Sequence, residues 1–394
     1  MKALLNSNNR WNTSKGIWGA SMGQKSRQHY VPKFYLRNFS ETDKSISTFN
    51  IMNSLYIQNA SIKDMCQKNN FYGDDKVVEE FLDKVIERKA ARIIKRIIDT
   101  NSILHLVNES EDYEHLLTFL LVSEGRNLRG ADSTENLAVA LMKTMVKEQP
   151  EFKEVDLDQF ELKVNQPANK NIGLAIENTP MIFDLVPILI VQKTPRKFIT
   201  SDNPLVRYNS FYIERNYQDR GFGLVTRGLQ LFFPISSQQC LLFYDRLVYD
   251  ISGEEKGVLT LNRAREVDNL NELFYLNSYN NAFFNQRLKE DYIRKIQNRN
   301  RKTPKINELE REVRFLNSTE DNGQLISVSH NRVTKKIKLP WINNSEFAKS
   351  IVLPPHMGGL QRTESPFIKD YMEKDRAKHK KQRQKLGGVR YFRG

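Results

Sequence analysis

The chain has 394 residues, 39% hydrophobic and 10% aromatic, enough for a sizeable core in one large domain or two. Its two cysteines, Cys66 and Cys240, lie far apart; this excludes a disulfide scaffold or cysteine-rich zinc site and fits free thiols in a reducing cytoplasm. The longest apolar run, residues 181–191, is interrupted by Asp184 and Pro187 and falls short of the roughly 20 residues of a membrane span.

The net charge of +14 is concentrated at the ends. Residues 1–37 hold seven Lys/Arg and no acid, and residues 374–394 hold nine against Asp375 alone. The stretch between is close to neutral, so any attraction for a polyanion belongs to the termini. Residues 1–25 show no sustained periodicity and read as a disordered extension. Met22 would serve as a start, and the N-terminus lacks the apolar core of a secretory signal.

Residues 29–39 are expected to enter the fold as a short extended piece and a turn of helix. Pro32 pushes Val31 toward an extended backbone. Residues 45–57 form a short hairpin turning at Asn53-Ser54. Residues 76–99 give the clearest helix, with Val77, Phe81, Val85, Ile93 and Ile97 among its apolar i, i+3, i+4 positions. A second helix covers about 112–127. A third is capped by Asp132 or Ser133 and ends before Pro150. Another covers about 173–185.

After Pro187 the texture changes. Residues 188–191, 197–200, 229–233 and 240–244 are short β-type runs broken by turns, and 267–281 and 290–315 return to helix. The order predicts an α+β protein, mainly helical with a small antiparallel sheet. A single globular domain is expected over 26–316. Residues 317–394 read as a polar, basic tail.

The residues that bear chemistry are few. His29, inside Gln28-His29-Tyr30-Val31-Pro32, has a side chain that titrates near neutrality and suits a general base, acid or metal ligand; it serves equally as a core hydrogen-bonder. The histidines show no zinc-site spacing. Asp202, in Ser201-Asp202-Asn203-Pro204, ends a strand, where a carboxylate binds a divalent ion or merely shapes a turn. Glu80 and Glu87, seven apart on one helix, share nearly one face. With Asp202 they suit magnesium or manganese; the plain alternative is helix ion pairing, Glu80 with Lys84. Arg126 ends an apolar helix. It either clamps a phosphate or pairs Asp202 or Glu87 inside the fold. No phosphate-binding glycine loop or nucleophile elbow is present. Lys378, Lys380, Lys381, Arg383, Lys385, Arg390 and Arg393, mixed with Tyr391 and Phe392, suit a DNA or RNA backbone or form a solvated tail.

Several segments follow in order along the chain: His29-Tyr30-Val31-Pro32 with Tyr35-Leu36 and Asn38-Phe39, Asn70-Phe71-Tyr72, residues 120–126, residues 198–204, Phe233-Pro234-Ile235-Ser236 and an asparagine-bearing helix around 277–284. Together they resemble one widespread bacterial family, domain of unknown function 4238. The resemblance spans about residues 26–285. It departs where the family usually carries glutamine before the arginine, since Ser123-Glu124-Gly125 precede Arg126 here. It implies a family and no activity. The leading expectation is a metal-dependent, nucleic-acid-directed nuclease of a prokaryotic conflict or defence system. His29, Asp202 and Glu87 would form its site, Asp202 and Glu87 would hold the metal, and Arg126 would bind phosphate. The alternative is a non-catalytic module for nucleic acid or protein, with the motifs as a structural clasp.

Overall fold

The computed structural model describes residues 27–385 apart from 75, 148, 218–220, 310, 318–323, 331 and 354–358, with backbone alone for 311–317, 324–330 and 378–385. The expected N-terminal extension, Arg390 and Arg393 lie outside the described residues.

Strand β1 (Arg27–His29) leads through Pro32 into α1 (Lys33–Arg37), then the hairpin β2 (Ser45–Asn50) and β3 (Leu55–Ser61), then β4 (Gln67–Asn69). Helix α2 (Val77–Phe81) continues through a π-helical stretch, Leu82–Glu87, into α3 (Arg88–Thr100). Helices α4 (Leu104–Asn108), α5 (Ser110–Gly125), α6 (Leu128–Lys147) and α7 (Pro167–Asn178) follow. The strand-rich half holds β5 (Val186–Gln192), β6 (Thr200–Ser201), β7 (Val206–Tyr208), α8 (Ser210–Glu214), β8 (Gln230–Pro234) and β9 (Gln239–Tyr244). It continues with β10 (Tyr249–Ile251), β11 (Glu254–Glu255), β12 (Val258–Leu261), α9 (Ala264–Leu276) and β13 (Asn281–Phe284). Last come α10 (Glu290–Arg299), β14 (Arg311–Asn317), β15 (Gln324–His330), β16 (Ile342–Asn344), α11 (Glu346–Ser350) and α12 (Pro366–Lys385).

The expected single small antiparallel sheet is corrected. The protein is α+β, but its largest sheet has six strands in the order β11-β12-β5-β9-β8-β7, and β12 runs parallel to β5. A second sheet, β3-β2-β13-β6, is wholly antiparallel. Pairing between strands far apart in sequence leaves no local pattern, which is why the strand runs were visible and the sheet was not.

The long apolar runs of β5, β8 and β9 follow from burial on both faces. Successive side chains point to opposite sides of a strand. Ile188, Ile190, Phe232, Cys240 and Leu242 enter one core. Leu189, Val191, Phe233, Leu241 and Phe243 enter the other. The second core is closed by α1, α3 and α5, through Tyr35, Ile93, Ile97, Leu116 and Leu120. The first is closed by α9 and α10, through Leu270, Phe274 and Ile293.

Three local expectations also change. Residues 281–284 are strand β13, not helix, because they pair with both β2 and β6. Helix α10 stops at Arg299, short of Pro304, and residues 311–317 form a strand against β15. Val333, Ile337, Leu339, Trp341, Ala348 and Leu353 are buried in the first core. Residues 332–353 therefore complete the globular body and are not tail.

Candidate functional site

The segment around His29 is held from all sides. β1 pairs β4, with His29 opposite Gln67. Gln28 is fully buried; its Nε2 donates to the Gly73 carbonyl at 3.1 Å, and its Oε1 accepts the Tyr72 N–H at 2.6 Å. The Tyr72 hydroxyl donates to the His29 carbonyl at 3.1 Å. The imidazole, half-buried, places Nε2 3.0 Å from the Lys63 carbonyl oxygen. Burial lowers its pKa, opposed by that carbonyl, and Lys33 and Arg126 lower it further.

Arg126 closes this arrangement. It is 1% exposed. Its Nε donates to the Tyr30 carbonyl at 3.2 Å, Nη2 to the His29 carbonyl at 2.9 Å, and Nη1 to Glu87 Oε1 at 2.7 Å. The fork that could hold a phosphate is thus committed to the backbone of the motif and to one carboxylate.

The partner expected for Glu87 also shifts. On a regular α-helix residues seven apart share a face, which would match Glu87 with Glu80. A π turn takes one more residue than an α turn. Across the π stretch, the face of Glu87 therefore returns to Glu79. Glu87 is among the charges that act on Glu79, whose pKa burial and Glu87 raise while Lys76 and Lys33 oppose them. Glu80 instead pairs Lys84 at 2.7 Å on the surface.

Asp202 sits where β6 meets β13 and is 1% exposed. Its Oδ1 accepts the Tyr279 N–H at 2.9 Å, and its Oδ2 accepts the N–H groups of Asn280 at 2.8 Å and Asn281 at 3.1 Å. Burial pushes the carboxyl up to about 6, against the pull of these three donors. Asn203 extends the grip: its Nδ2 donates to the Asn277 carbonyl at 2.8 Å, and its Oδ1 accepts Asn127 Nδ2 at 2.8 Å.

His29, Glu87 and Arg126 are thus brought together. Asp202 belongs to a neighbouring group. Its charge raises the pKa of Tyr30 and of Cys66, after the larger effect of burial on each. Among the described residues, no group of three or more His, Cys, Asp or Glu could hold a metal ion. Asp202 and Glu87 are therefore not assembled into such a set. Lys378, Lys380, Lys381, Arg383 and Lys385 fall within α12. No helix among the described residues is long and apolar enough to cross a membrane.

The junction of α5 and α6 carries Asn127, which the sequence did not single out, and Asp132, expected as a helix cap but lying inside α6, which starts at Leu128. Asn127 caps α6, its Oδ1 accepting the Gly130 N–H at 2.8 Å. Asp132 accepts the Tyr279 hydroxyl at 2.8 Å. Both reach elements that carry the Asp202 turn. Asn127, of a residue type that favours a helix N-cap, bore a usable signal only in its identity. Gln28 and Tyr72 bore none beyond their neighbourhood. The N–H donors of residues 279–281 are backbone and bear none at all.

Comparison with curated proteins and with solved structures found no match. A family model described as "Protein of unknown function (DUF4238)" matches residues 27–287, most of the chain, and this protein belongs to that family.

Proposed function

We propose that the protein is a non-catalytic binding module for DNA or RNA, with its motifs acting as a clasp and its basic C-terminal helix as the contact. One observation carries the first half. The two groups best suited to metal and phosphate are already taken: Asp202 by three backbone N–H groups, and Arg126 by two carbonyls and Glu87. A buried polar set satisfied by backbone is what a clasp requires.

Helix α12 supports the second half. Its first turns are docked: Ile368 is buried, Phe367 meets Phe183 edge-on at 5.5 Å, and the Tyr371 hydroxyl donates to Asn178 at 2.8 Å. From Lys374 to Lys385 the sequence holds seven Lys/Arg and one acid. A helix that starts fixed and ends basic presents charge to a phosphate backbone. Two free, buried cysteines accord with the reducing cytoplasm, the compartment we assign.

The test is binding of duplex and single-stranded DNA and of RNA by fluorescence anisotropy, at several salt concentrations. The full chain should bind with a log affinity that falls by roughly one per log salt for each phosphate neutralised. A chain ending at Glu373 should lose most of that affinity. Cleavage of nucleic acid with magnesium or manganese, abolished by His29→Ala or Asp202→Asn in folded protein, would overturn the non-catalytic reading.

A further inference from the structure

A second ionic cluster centres on Glu124, two residues before Arg126. Glu124, on α5, accepts hydrogen bonds from Arg207 Nε at 3.0 Å, from Arg207 Nη2, and from Arg332 Nη2 at 3.1 Å. Arg207 comes from β7, and its Nη1 also donates to the Phe222 carbonyl at 3.2 Å. The side chains of Glu124, Arg207 and Arg332 are 11%, 15% and 9% exposed. One carboxylate thus faces two guanidinium groups away from most solvent. Arg129 adds its field to both Glu124 and Arg332, and has a partner of its own. Arg129 also acts, with Asp132, on the Tyr279 hydroxyl, which donates to Asp132 at 2.8 Å.

The balance of the cluster is uneven. Burial would raise the Glu124 carboxyl, but Arg207 and Arg332 overcome it and hold it down to about 2. Burial, then the charge of Arg129, pulls the Arg332 guanidinium down to about 9 against Glu124. Arg332 Nε is buried and reaches no acceptor among the described residues. A buried cation whose donor lacks an acceptor is costly, and one carboxylate neutralises only one of the two. Nothing in the clasp or in α12 uses this group. Arg332 lies beyond residues 27–287, which match the family, whereas Glu124 and Arg207 lie within them.

We propose that Arg332, held beside Arg207 by Glu124, forms a site for a phosphate-class oxyanion, with its Nε as the unused donor and Arg207 adding positive charge. A guanidinium offers parallel N–H groups that suit phosphate oxygens. Arg332 spends Nη2 on Glu124 and keeps Nε. Glu124 acts as the internal anion that holds both guanidinium groups in place, so an incoming phosphate competes with it for Arg332. The source of the phosphate is either a free anion or the end of a nucleic-acid strand.

The experiment is thermal unfolding of the full chain in inorganic phosphate, with chloride at equal ionic strength as reference. A parallel arm uses a short oligonucleotide with and without a 5′-phosphate. Phosphate should give a saturable rise in Tm that chloride does not, and Arg332→Gln should lose it. Glu124→Gln should melt lower in chloride and show a larger rise in phosphate, at a lower half-saturating concentration, because the competing carboxylate is gone. If Arg332→Gln does not fold, the Glu124→Gln arm decides. A rise with inorganic phosphate assigns a free anion. A rise only with the 5′-phosphorylated strand assigns a nucleic-acid end. Equal Tm in phosphate and chloride, together with equal Tm for the strands with and without the 5′-phosphate, for the unmodified chain and for Glu124→Gln overturns the site, as does a phosphate-specific rise that persists in folded Arg332→Gln. Strand binding through α12 raises Tm equally with either oligonucleotide, so only the difference between them is read.

Discussion

Arg126 holds His29 by its carbonyl oxygen, at 2.9 Å from Nη2, and leaves the imidazole to Lys63. The same guanidinium holds Tyr30 and Glu87. Arg126→Ala removes a buried cation and strands its partly buried carboxylate and two carbonyls. It should lower stability by about 3–5 kcal/mol. Arg126→Lys should recover only part of this, since an ammonium group lacks the fork's fixed directions. Urea unfolding measures both; losses within about 0.5 kcal/mol, the surface-substitution range, would remove the clasp.

Asp202→Asn keeps the shape of the turn but points an NH2 group at backbone N–H donors. It should cost about 1–3 kcal/mol, the range for stranding buried donors. The pH dependence has a definite sign. Burial raises Asp202 from 3.8 to about 6 in the folded chain. The folded state therefore keeps this proton more tightly than the unfolded one. The contribution of Asp202 grows as pH falls from about 6 toward 3.8, and it is flat above. The gap in stability between the unmodified chain and Asp202→Asn should widen over that window. A gap that narrows on acidification would contradict it.

His29 acts in the opposite direction. Burial lowers its pKa below 6.5, so the unfolded chain takes the proton first. Stability from this group is present above 6.5 and is lost as pH falls through 6.5 toward the folded value. His105 and His115 are lowered too and add to the same loss. His29→Gln should flatten the acid-side fall measured by denaturant midpoints between pH 8 and 5, without removing it. Identical slopes would mean that the ring is indifferent to folding.

Gly130 sits at the junction of α5 and α6, where an added Cβ would lie 2.8 Å from the Gly125 carbonyl oxygen and 2.9 Å from that of Glu124. Gly130→Ala should destabilise by about 1–3 kcal/mol through overpacking. Gly173, within α7, has nothing within 4 Å of its Cβ position. Gly173→Ala should stabilise by roughly 0.5–1 kcal/mol, since helical glycine costs that much relative to alanine. Calorimetry of the pair checks the packing at this junction, and equal shifts would contradict it.

Arg362 fastens the C-terminal segment to the body. It is 1% exposed, pairs Asp184 through Nε at 2.7 Å and Nη2 at 3.1 Å, and donates to the carbonyls of Met181, Leu224 and Thr226. A chain ending at Glu373 should keep the Tm of the full protein. One ending at Gly358 loses Arg362 and Ile368 and should melt lower. Arg362→Ala should cost about 3–5 kcal/mol, because Asp184 then lacks its partner. Equal Tm for the chains ending at Glu373 and at Gly358 would show that the segment is not part of the fold.

Much of the local structure was legible because it is written in side-chain period. The hairpin at residues 45–61, the long helix from Val77 and the apolar runs of β5, β8 and β9 each declare themselves within a few residues. The candidate site was legible only as a list of residues. His29, Glu87, Arg126 and Asp202 stood out by type and neighbourhood, but their partners did not. The π turn that exchanges Glu80 for Glu79 has no marker in residue spacing. The acceptors of Arg126 and the donors to Asp202 are mostly backbone groups, which every residue carries alike. Residues 281–284 form a strand because β2 and β6 lie on either side, and residues 332–353 are core because the six-stranded sheet waits for them. Chain order sets which segments can be helix or strand. Long-range pairing and burial alone decide whether a charged side chain faces a ligand or the backbone of its own fold.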